Sequence, residues 1–209
     1  MNGPKLILGT VLGLAWASAI GFGARSLLRY ENTPGEAGDP LRNWPRESRL
    51  LRPADRFALV LFAHPNCPCT RASLAELEIL MARLKGRVAA FVRFRKPEAN
   101  LSEVQSSDLW KKASSIPGVS AGFDANGLDV RQFGAETSGQ ALLYDLQGRL
   151  VFSGGITTAR GHEGDNAGVD AVIARVNGRE APFHTSAFGC SLRDPGTAEL
   201  RENPAWKKP

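Results

Sequence analysis

The hydrophobic pattern is clearest over residues 57–84, where a fully apolar run is followed by a short turn and then by an amphipathic run. Residues 57–63 are rich in β-forming side chains and predict a buried strand. Leucine and methionine recur at helical spacing over residues 70–85, so this segment predicts a helix, with Gly86 as its C-terminal cap. The pattern therefore predicts a strand–turn–helix unit.

Strands and helices continue to alternate after this unit. Residues 88–94 predict a second strand, which forms a right-handed βαβ unit with the helix before it. The further predicted elements are a helix over 102–115 capped by Ser102, a strand over 119–123, a short helix over 126–133, hairpin strands over 141–144 and 150–153 joined by the turn 145–148, and a last helix over 169–176 closed by Gly178. This order predicts a single α/β domain without internal repeats.

A second apolar segment lies at the N-terminus, where residues 6–24 carry no charge. A bilayer core is crossed by about 20 apolar residues, so this segment is just long enough to span a membrane. A cleaved signal peptide is the alternative, because Ala17-Ser18-Ala19 fits a small-residue cleavage site. We favour an uncleaved anchor, since the apolar character continues to Phe22. Basic residues on both flanks leave its orientation open.

These patterns divide the chain into four parts. We assign residues 1–25 to a transmembrane signal-anchor, 26–56 to a tether that Trp44 attaches to the fold, 57–180 to the folded domain and 181–209 to a C-terminal extension. We expect a single span in the inner (cytoplasmic) membrane. The domain is expected on the periplasmic side, where disulfides are permitted, and a cytoplasm-facing domain is the alternative.

Composition narrows the classes of function. The chain has 209 residues and a formal net charge of +5, and its basic residues are spread along the sequence. Nucleic-acid binding therefore has little support. The sequence contains no GxxxxGK phosphate loop, GxSxG elbow or HExxH pair. It has three cysteines, two of them separated by one residue, which favours chemistry at sulfur over a disulfide-built fold.

The cysteine chemistry is expected at the start of the first predicted helix of the domain. If Cys67 is the N-cap, Pro68 occupies the first helical position and Cys69 lies in the first turn. Unpaired N–H groups and the helix dipole favour thiolate there, and cysteines so placed have pKa values of roughly 3.5–7.5. A Cys67–Cys69 disulfide would be strained, because residues i and i+2 point to different sides. Such strain makes a disulfide easier to reduce.

The third cysteine, Cys190, lies in residues 181–192. This segment is interrupted by proline and glycine and is able to run back over the domain. If it reaches the thiol turn, Cys190 resolves a mixed disulfide or supplies a third metal ligand. The alternative is a buried small hydrophobic residue beside Phe188.

His64 precedes Cys67 by three residues. As a cation it would lower the pKa of a nearby thiolate, and as a neutral imidazole it would bind a soft metal together with the sulfurs. The simpler alternative is that His64 ends the strand and bonds a backbone carbonyl. We interpret His184 as a structural residue.

His162 lies in a glycine-rich polar loop between the hairpin and the last helix. Asp165 or Asn166 is expected to cap that helix. Capping does not explain Arg160 and His162. We therefore predict that His162 is an acid–base group or a distal metal ligand, provided that the loop approaches the cysteine turn.

The order of elements, with a cysteine pair between the first strand and its helix, resembles a thioredoxin-like domain. Residues 119–153 resemble the matching part of membrane-anchored, cytochrome-maturation-type and peroxiredoxin-type relatives. HPNCPCTRAS, TSG, GGITTARGHEGDN and FGC together resemble bacterial RedB-type proteins. The resemblance spans about residues 57–192. It implies an α/β thioredoxin-like fold, with a central mixed sheet flanked by helices, behind an N-terminal transmembrane helix, and it implies no known reaction.

Two features depart from thioredoxins. Cys67-Pro68-Cys69 stands in place of their CxxC pair, and Thr137-Ser138-Gly139 stands where they have a cis-proline. Loss of the proline ring would let a ligand or metal come closer to the sulfurs. Our predicted substrate-binding residues are Pro68, Ser138, Gly139 and Arg160.

Three hypotheses follow. The first is a thiol–disulfide oxidoreductase without a cofactor, in which an exposed Cys67 attacks, Cys69 or Cys190 resolves and His162 assists, with periplasmic or membrane protein thiols and disulfides as partners. The second is a copper or zinc metallochaperone that uses Cys67 and Cys69 with His64, His162 or Cys190. The third is a non-catalytic interaction module that keeps the fold.

Overall fold

The computed structural model describes residues 3–65, 67–95 and 101–192, and it divides into two units, Met1–Thr33 and Pro34–Pro209. The first unit is helix α1, Gly3–Glu31. Its residues 7–31 are long and apolar enough to cross a membrane. The predicted N-terminal apolar helix is thus confirmed, and it continues beyond the predicted end at residue 24.

The second unit is built on a mixed sheet, which within the described residues has five strands in the order β3-β2-β1-β4-β5. The strands are β1 Phe57–Ala63, β2 Val88–Arg95, β3 Val119–Asp124, β4 Gln140–Tyr144 and β5 Leu150–Gly155. β1 pairs in parallel with β2 and antiparallel with β4, β2 pairs in parallel with β3, and β4 and β5 form the predicted hairpin. The predicted central position of β1 beside β2 is confirmed.

The helices of this unit are α2 Pro68–Leu84, α3 Leu101–Ser106, α4 Asp108–Ser115, α5 Leu128–Phe133 and α6 Ala167–Val176, with a short 3-10 turn, Ala125–Gly127, before α5. The helix predicted over 102–115 is interrupted at Ser107. The Ser107 hydroxyl accepts a hydrogen bond from Trp110 N–H (3.3 Å) and caps α4. α3 begins one residue before the predicted cap at Ser102.

β1 is apolar throughout because the sheet is covered on both faces. Leu59 and Leu61 belong to a core cluster that also contains residues of α2 and α6. Val60 and Phe62, on the opposite face of the strand, belong to a second cluster with Phe133 of α5. This double burial explains why β1 shows a continuous hydrophobic run and no alternation.

The stretch between α1 and β1 belongs to the second unit from residue 34 onward and packs on the rest of that unit. Trp44 N–H donates to Gly148 O (2.7 Å) in the hairpin turn. The indole ring lies edge-on against the rings of Phe133 and Tyr144, with centroid distances of 5.0 and 5.2 Å. Trp44 thus attaches this stretch to the fold, as the sequence predicts.

Replacing Trp44 with alanine is expected to lower the free energy of unfolding by about 2 kcal/mol. A fully buried Phe or Trp truncated to alanine costs roughly 3–5 kcal/mol, and this ring is partly buried. Denaturant titration of the full chain in detergent measures the change. Arg46→Ala, at an exposed position of the same stretch, is the control and should change the value by less than about 0.5 kcal/mol. Equal stabilities for the two variants would contradict the packing of Trp44.

The outer edge of β5 is covered by the beginning of the C-terminal extension. Ser153 N–H donates to Phe183 O (2.9 Å), and Thr185 N–H donates to Ser153 O (3.3 Å). Gly154 has φ +153°, and a Cβ there would lie 2.3 Å from Thr185 O, so glycine is required at this crossing. Residues 181–192 therefore run back over the domain, as predicted, and protect an open sheet edge.

Candidate functional site

The thiol turn has the local geometry that the sequence predicts. Cys67 is the N-cap of α2 with an extended backbone (φ −100°, ψ 127°), and Pro68 is the first helical residue. Thr70 N–H donates to Cys67 O (3.0 Å), which closes the first helical turn. The sulfurs of Cys67 and Cys69 therefore belong to the N-terminal end of a 17-residue helix, where the dipole favours negative charge.

Both cysteines of this turn are buried. Cys67 is 2% exposed and Cys69 is 5% exposed, so the prediction of an exposed Cys67 is wrong. The physical reason is the C-terminal segment over residues 187–192, here called the strap, which covers the start of α2. Cys190 of the strap is exposed. The interpretation of Cys190 as a buried hydrophobic residue is therefore also wrong.

The strap brings Cys190 into contact with Cys67. Their Sγ atoms lie 3.5 Å apart although the residues are 123 positions apart in sequence. A disulfide bond is about 2.05 Å long, so the two sulfurs need to approach each other by about 1.5 Å to be joined. Cys190 is thus one of the two partners that the sequence offered for Cys67, and the other, Cys69, is in side-chain hydrogen-bond contact with the same sulfur.

Main-chain hydrogen bonds hold the strap against the loop that precedes β4. Ser138 N–H donates to Cys190 O (2.8 Å), and Leu192 N–H donates to Glu136 O (2.8 Å), around an antiparallel bridge. The strap thus pairs as an extended strand with residues 136–138. Backbone hydrogen bonds of the strap therefore fix the position of Cys190.

Two further contacts fix the strap. The Arg160 guanidinium donates to Gly189 O. Gly189 lies so close to the loop that a Cβ would be 1.8 Å from Ser138 O. The close approach of the two backbones is therefore possible with glycine alone, and it explains the glycine of the FGC motif.

A pair of buried hydroxyl groups joins the loop to the thiol turn. Ser138 Oγ accepts a hydrogen bond from His64 N–H (2.9 Å) and lies 3.2 Å from Thr70 Oγ1. Thr70 Oγ1 donates to His64 O (2.9 Å), so the Ser138 hydroxyl donates to Thr70. Both side chains are fully buried. Ser138, which the sequence analysis offered as a substrate contact, is thus engaged in holding the turn.

Gly139, also predicted as a substrate contact, lies under the strap. Its N–H donates to Phe62 O (2.7 Å), and a Cβ there would lie 3.0 Å from Ser73 Oγ and 3.5 Å from Phe188 O. The described residues contain no cis peptide bond, so the loop reaches the turn without the cis-proline of thioredoxins.

The three thiols differ in acidity. A hydrogen bond from the Cys69 thiol lowers the pKa of Cys67 to about 4, and the Cys190 thiol and the N–H groups of Cys69 and Thr70 act in the same direction, against burial. The same bond raises the pKa of Cys69. Burial and the contact with Cys67 raise the pKa of Cys190. In its reduced form the site therefore holds one thiolate, at Cys67, beside two thiols.

Replacing Cys69 with alanine is expected to raise the pKa of Cys67 toward the ordinary value of about 8.5, because the main donor to the thiolate is lost. Cys69→Ser keeps a hydroxyl donor and should shift the pKa less. The thiolate ultraviolet absorbance of the reduced chain, followed against pH, measures both, with Cys67→Ser as the blank. Equal titration curves for wild type and Cys69→Ala would show that Cys69 does not donate.

The low pKa of Cys67 also links the reduced fold to pH. Because the folded pKa lies below the unfolded one, the stability contributed by the thiolate is complete above about pH 8.5 and is lost as the pH falls toward 4. The reduced chain should therefore lose stability to denaturant between these limits. Cys67→Ser should lack this part of the dependence.

The polar loop after β5 starts at the same end of the sheet as the thiol turn, since β5 runs parallel to β1. The loop brings Arg160 near the sulfurs, where its charge partly offsets the raised pKa values of Cys69 and Cys190. His162 is exposed, and its Nδ1 lies 3.0 Å from Arg160 O. The structure thus places Arg160 of this loop beside the thiols. The acid–base role of His162 stays a prediction.

The histidine beside the turn has a lowered pKa. His64 is half-buried, and burial lowers its pKa, assisted by the charge of Arg95 and opposed by Cys67. This direction favours the neutral ring, and the cationic role of His64 stays a prediction. Within residues 3–65, 67–95 and 101–192, no group of three or more His, Cys, Asp or Glu side chains is arranged to hold a metal ion. The predicted metal set stays without geometric support.

Glu76, a functional residue that was not predicted from the sequence, holds the polar loop on α2. Its buried carboxylate accepts from Gly164 N–H (2.6 Å) and from Asn166 Nδ2 (3.3 Å). Asn166 Oδ1 in turn accepts from Val169 N–H (2.8 Å) and caps α6, as predicted for one of two residues. Glu76 lies four residues before Leu80 on the apolar face of α2, and this spacing was the available signal.

The comparisons with known proteins agree with this architecture. No family model and no curated protein matches the sequence. The chain is similar to the crystal structure of an uncharacterized conserved protein from Geobacillus kaustophilus, with 16% identity, a TM-score of 0.56, and coverage of 78% of this chain and 94% of that one. A hypothetical protein from Sinorhizobium meliloti has 19% identity, a TM-score of 0.56, and coverage of 78% and 96%.

A central mixed sheet flanked by helices, with a cysteine turn between β1 and α2, is the arrangement that the resemblance implied. The fold is thioredoxin-like. A secreted disulfide oxidoreductase from Mycobacterium tuberculosis is a more distant structural match, with 17% identity, a TM-score of 0.41, and coverage of 59% and 82%. At such identities the likeness concerns the fold alone, so function has to be argued from the site.

Proposed function

We propose that this chain is a membrane-anchored thiol–disulfide oxidoreductase whose redox pair is Cys67 and Cys190. The observation that carries the proposal is the 3.5 Å contact between the two Sγ atoms, one at a helix N-terminus and one on an exposed segment. Oxidation of the two thiols to a disulfide needs no cofactor, because the dithiol itself gives up the two electrons. The strap supplies the geometry that the CPC turn alone lacks.

The acidity of Cys67 supports a reactive pair over a structural disulfide. A low thiol pKa stabilises the reduced form as thiolate, and a pair whose reduced form is stabilised has a more oxidising disulfide. A disulfide that serves stability alone has no need of a thiolate donor such as Cys69. This arrangement is therefore typical of exchange chemistry.

The N-terminal helix supports the cellular context of the proposal. Helix α1 is able to hold the domain at a membrane. We place the domain on the periplasmic side of the inner membrane, because disulfide exchange needs a compartment that permits disulfides. Its partners are then thiols or disulfides of periplasmic or membrane proteins, in keeping with the resemblance to RedB-type proteins.

Exchange and metal content, measured on the same purified full chain in detergent, test the proposal. We expect the wild type to exchange disulfides with glutathione and Cys67→Ser to lose at least about 100-fold in rate, because the Cys67–Cys190 pair that takes up and gives back two electrons is gone. Arg71→Ala, an exposed change in the first turns of α2, is the control for folding and should keep the rate. Stoichiometric copper or zinc that Cys67→Ser abolishes, without exchange, would favour the metallochaperone instead.

A further inference from the structure

The exposed cysteine residue of the site is not in the cysteine turn. Cys67 is 2% exposed and Cys69 is 5% exposed, whereas Cys190 is an exposed residue. The strap that carries Cys190 lies between Cys67 and the solvent. A partner protein, which is too large to enter a buried turn, therefore meets Cys190 first.

Hydrogen bonds of the backbone on both sides of Cys190 hold this residue in its exposed position. Cys190 O accepts from Ser138 N–H (2.8 Å), and two residues later Leu192 N–H donates to Glu136 O (2.8 Å). On the other side, the Gly189 carbonyl accepts from Arg160. Cys190 is thus held with its sulfur against Cys67 while the residue itself faces solvent.

Thiol–disulfide exchange proceeds by attack of a thiolate on one sulfur of a disulfide, and the other sulfur leaves. In a Cys67–Cys190 disulfide, the exposed residue is Cys190 and the buried residue is Cys67. The other sulfur of the bond is Cys67 Sγ. It lies beside the Cys69 thiol and the start of α2, and both stabilise a negative charge on it.

We infer that Cys190 is the catalytic sulfur that partner dithiols attack and that Cys67 is the buried leaving group, an inference that rests on the proposed oxidoreductase function. The partner thiolate bonds to Cys190 Sγ, the Cys67–Cys190 bond breaks, and Cys67 keeps the electron pair as thiolate. The second partner thiol loses its proton and attacks the partner sulfur of the mixed disulfide. The partner leaves as a disulfide, and Cys190 leaves as a thiolate that takes up a proton. Two electrons pass to the chain, and one of the two protons of the partner dithiol is released to solvent.

The pKa values of the two cysteines agree with Cys190 as the attacked sulfur and Cys67 as the leaving group. A leaving thiol departs faster the lower its pKa, and the pKa of Cys67 is lowered while that of Cys190 is raised. A mixed disulfide on Cys67 would need Cys190, the weaker acid, as leaving group. Thioredoxins present the attacked sulfur from the turn itself, so this chain would have moved that role to a segment outside the strand–turn–helix unit.

Adduct mapping on the wild-type chain tests the inference without any substitution. The full chain in detergent is oxidised with oxidised glutathione, freed of excess reagent, mixed with reduced glutathione for short times and quenched in acid. Peptide mass spectrometry then locates the glutathione adduct. We expect the adduct on Cys190 to exceed that on Cys67 at least roughly tenfold.

A second measurement uses matched serine variants and the aromatic disulfide 5,5′-dithiobis(2-nitrobenzoate). In Cys67→Ser the probe should label Cys190. In Cys190→Ser it should label Cys67 at least roughly tenfold more slowly once each rate is divided by the fraction of that cysteine present as thiolate, because a serine side chain is nearly the size of cysteine and preserves the cover. Adducts on Cys67 in the wild type, or faster labelling of Cys67, would overturn the inference and leave the proposed function standing. A chain that forms no Cys67–Cys190 disulfide with oxidised glutathione would contradict the proposed function as well.

Discussion

Replacing Cys190 with serine is expected to abolish the intramolecular disulfide, whereas Cys69→Ser is expected to keep it. The reason is geometric, since Cys190 Sγ lies 3.5 Å from Cys67 Sγ and Cys69 follows Cys67 by two residues at a helix start. A disulfide between residues at that spacing would be strained, although the Cys69 thiol is close enough to donate a hydrogen bond to Cys67. Both variants are equilibrated with glutathione redox buffers, and the free thiols are counted by alkylation.

Cys69→Ser should lose two thiols in the oxidising buffers, and Cys190→Ser should show glutathione adducts without an internal bond. Serine replaces sulfur in both variants at nearly the same size, so each controls for the other. A Cys67–Cys69 disulfide in Cys190→Ser, formed as readily as the bond of the wild type, would contradict the assignment. The strap would then be a cover and not a participant.

Replacing Gly189 with alanine is expected to lower the equilibrium constant for disulfide formation by roughly 100-fold. A Cβ at this position would lie 1.8 Å from Ser138 O, so the strap has to move off the loop. Overpacking of this kind costs typically about 1–3 kcal/mol, and 1.4 kcal/mol corresponds to a factor of ten. Because the strap contributes no helix and no strand of the sheet, this cost should detach the strap and leave the core folded.

The glutathione concentration at half-oxidation measures that constant, and denaturant titration measures the stability of the core. Gly178→Ala is the matched control, because Gly178 has φ +70° and open space around its Cβ position. It should cost about 1 kcal/mol of backbone conformation without changing the constant for disulfide formation. An unchanged constant in Gly189→Ala would show that the docked strap does not bring the two sulfurs together.

The strand–turn–helix unit could be predicted from sequence because its determinants are local. A seven-residue apolar strand, a proline at the first helical position and leucines at helical spacing are all read within 28 positions of residue 57. The hairpin was predictable for the same reason, since Asp145 Oδ1 accepts from Gln147 N–H and Arg149 N–H inside its own turn. Local hydrogen bonding and periodicity leave their mark in the order of residues.

The environment of the cysteines could not be predicted in the same way. The burial of Cys67 depends on a strap without periodicity, which reaches the turn across 123 positions of sequence. The pattern offered Cys190 as one partner among several, and no local feature ranked it above His162 or Cys69. Arg160 and His162 were equivalent from sequence, since the loop alone does not show which of them approaches the sulfurs. Long-range contacts of irregular segments decide these roles.

The site places the acidic thiol and the exposed cysteine on two different residues, Cys67 and Cys190. Cys67 gains its acidity from the helix start and from Cys69, in a place that partners do not reach. Cys190 provides access on a segment held by backbone hydrogen bonds. A CPC turn that cannot easily close on itself is thereby able to carry out exchange, provided that the strap is in place.

The central claim is that Cys67 and Cys190 form the redox pair, and a disulfide map of the oxidised wild-type chain tests it most directly. The full chain in detergent is oxidised with glutathione, alkylated under acid conditions, digested without reduction and examined by mass spectrometry. We predict a cross-linked peptide pair that contains Cys67 and Cys190, with Cys69 alkylated. A bond between Cys67 and Cys69, or three alkylated cysteines after oxidation, would contradict it.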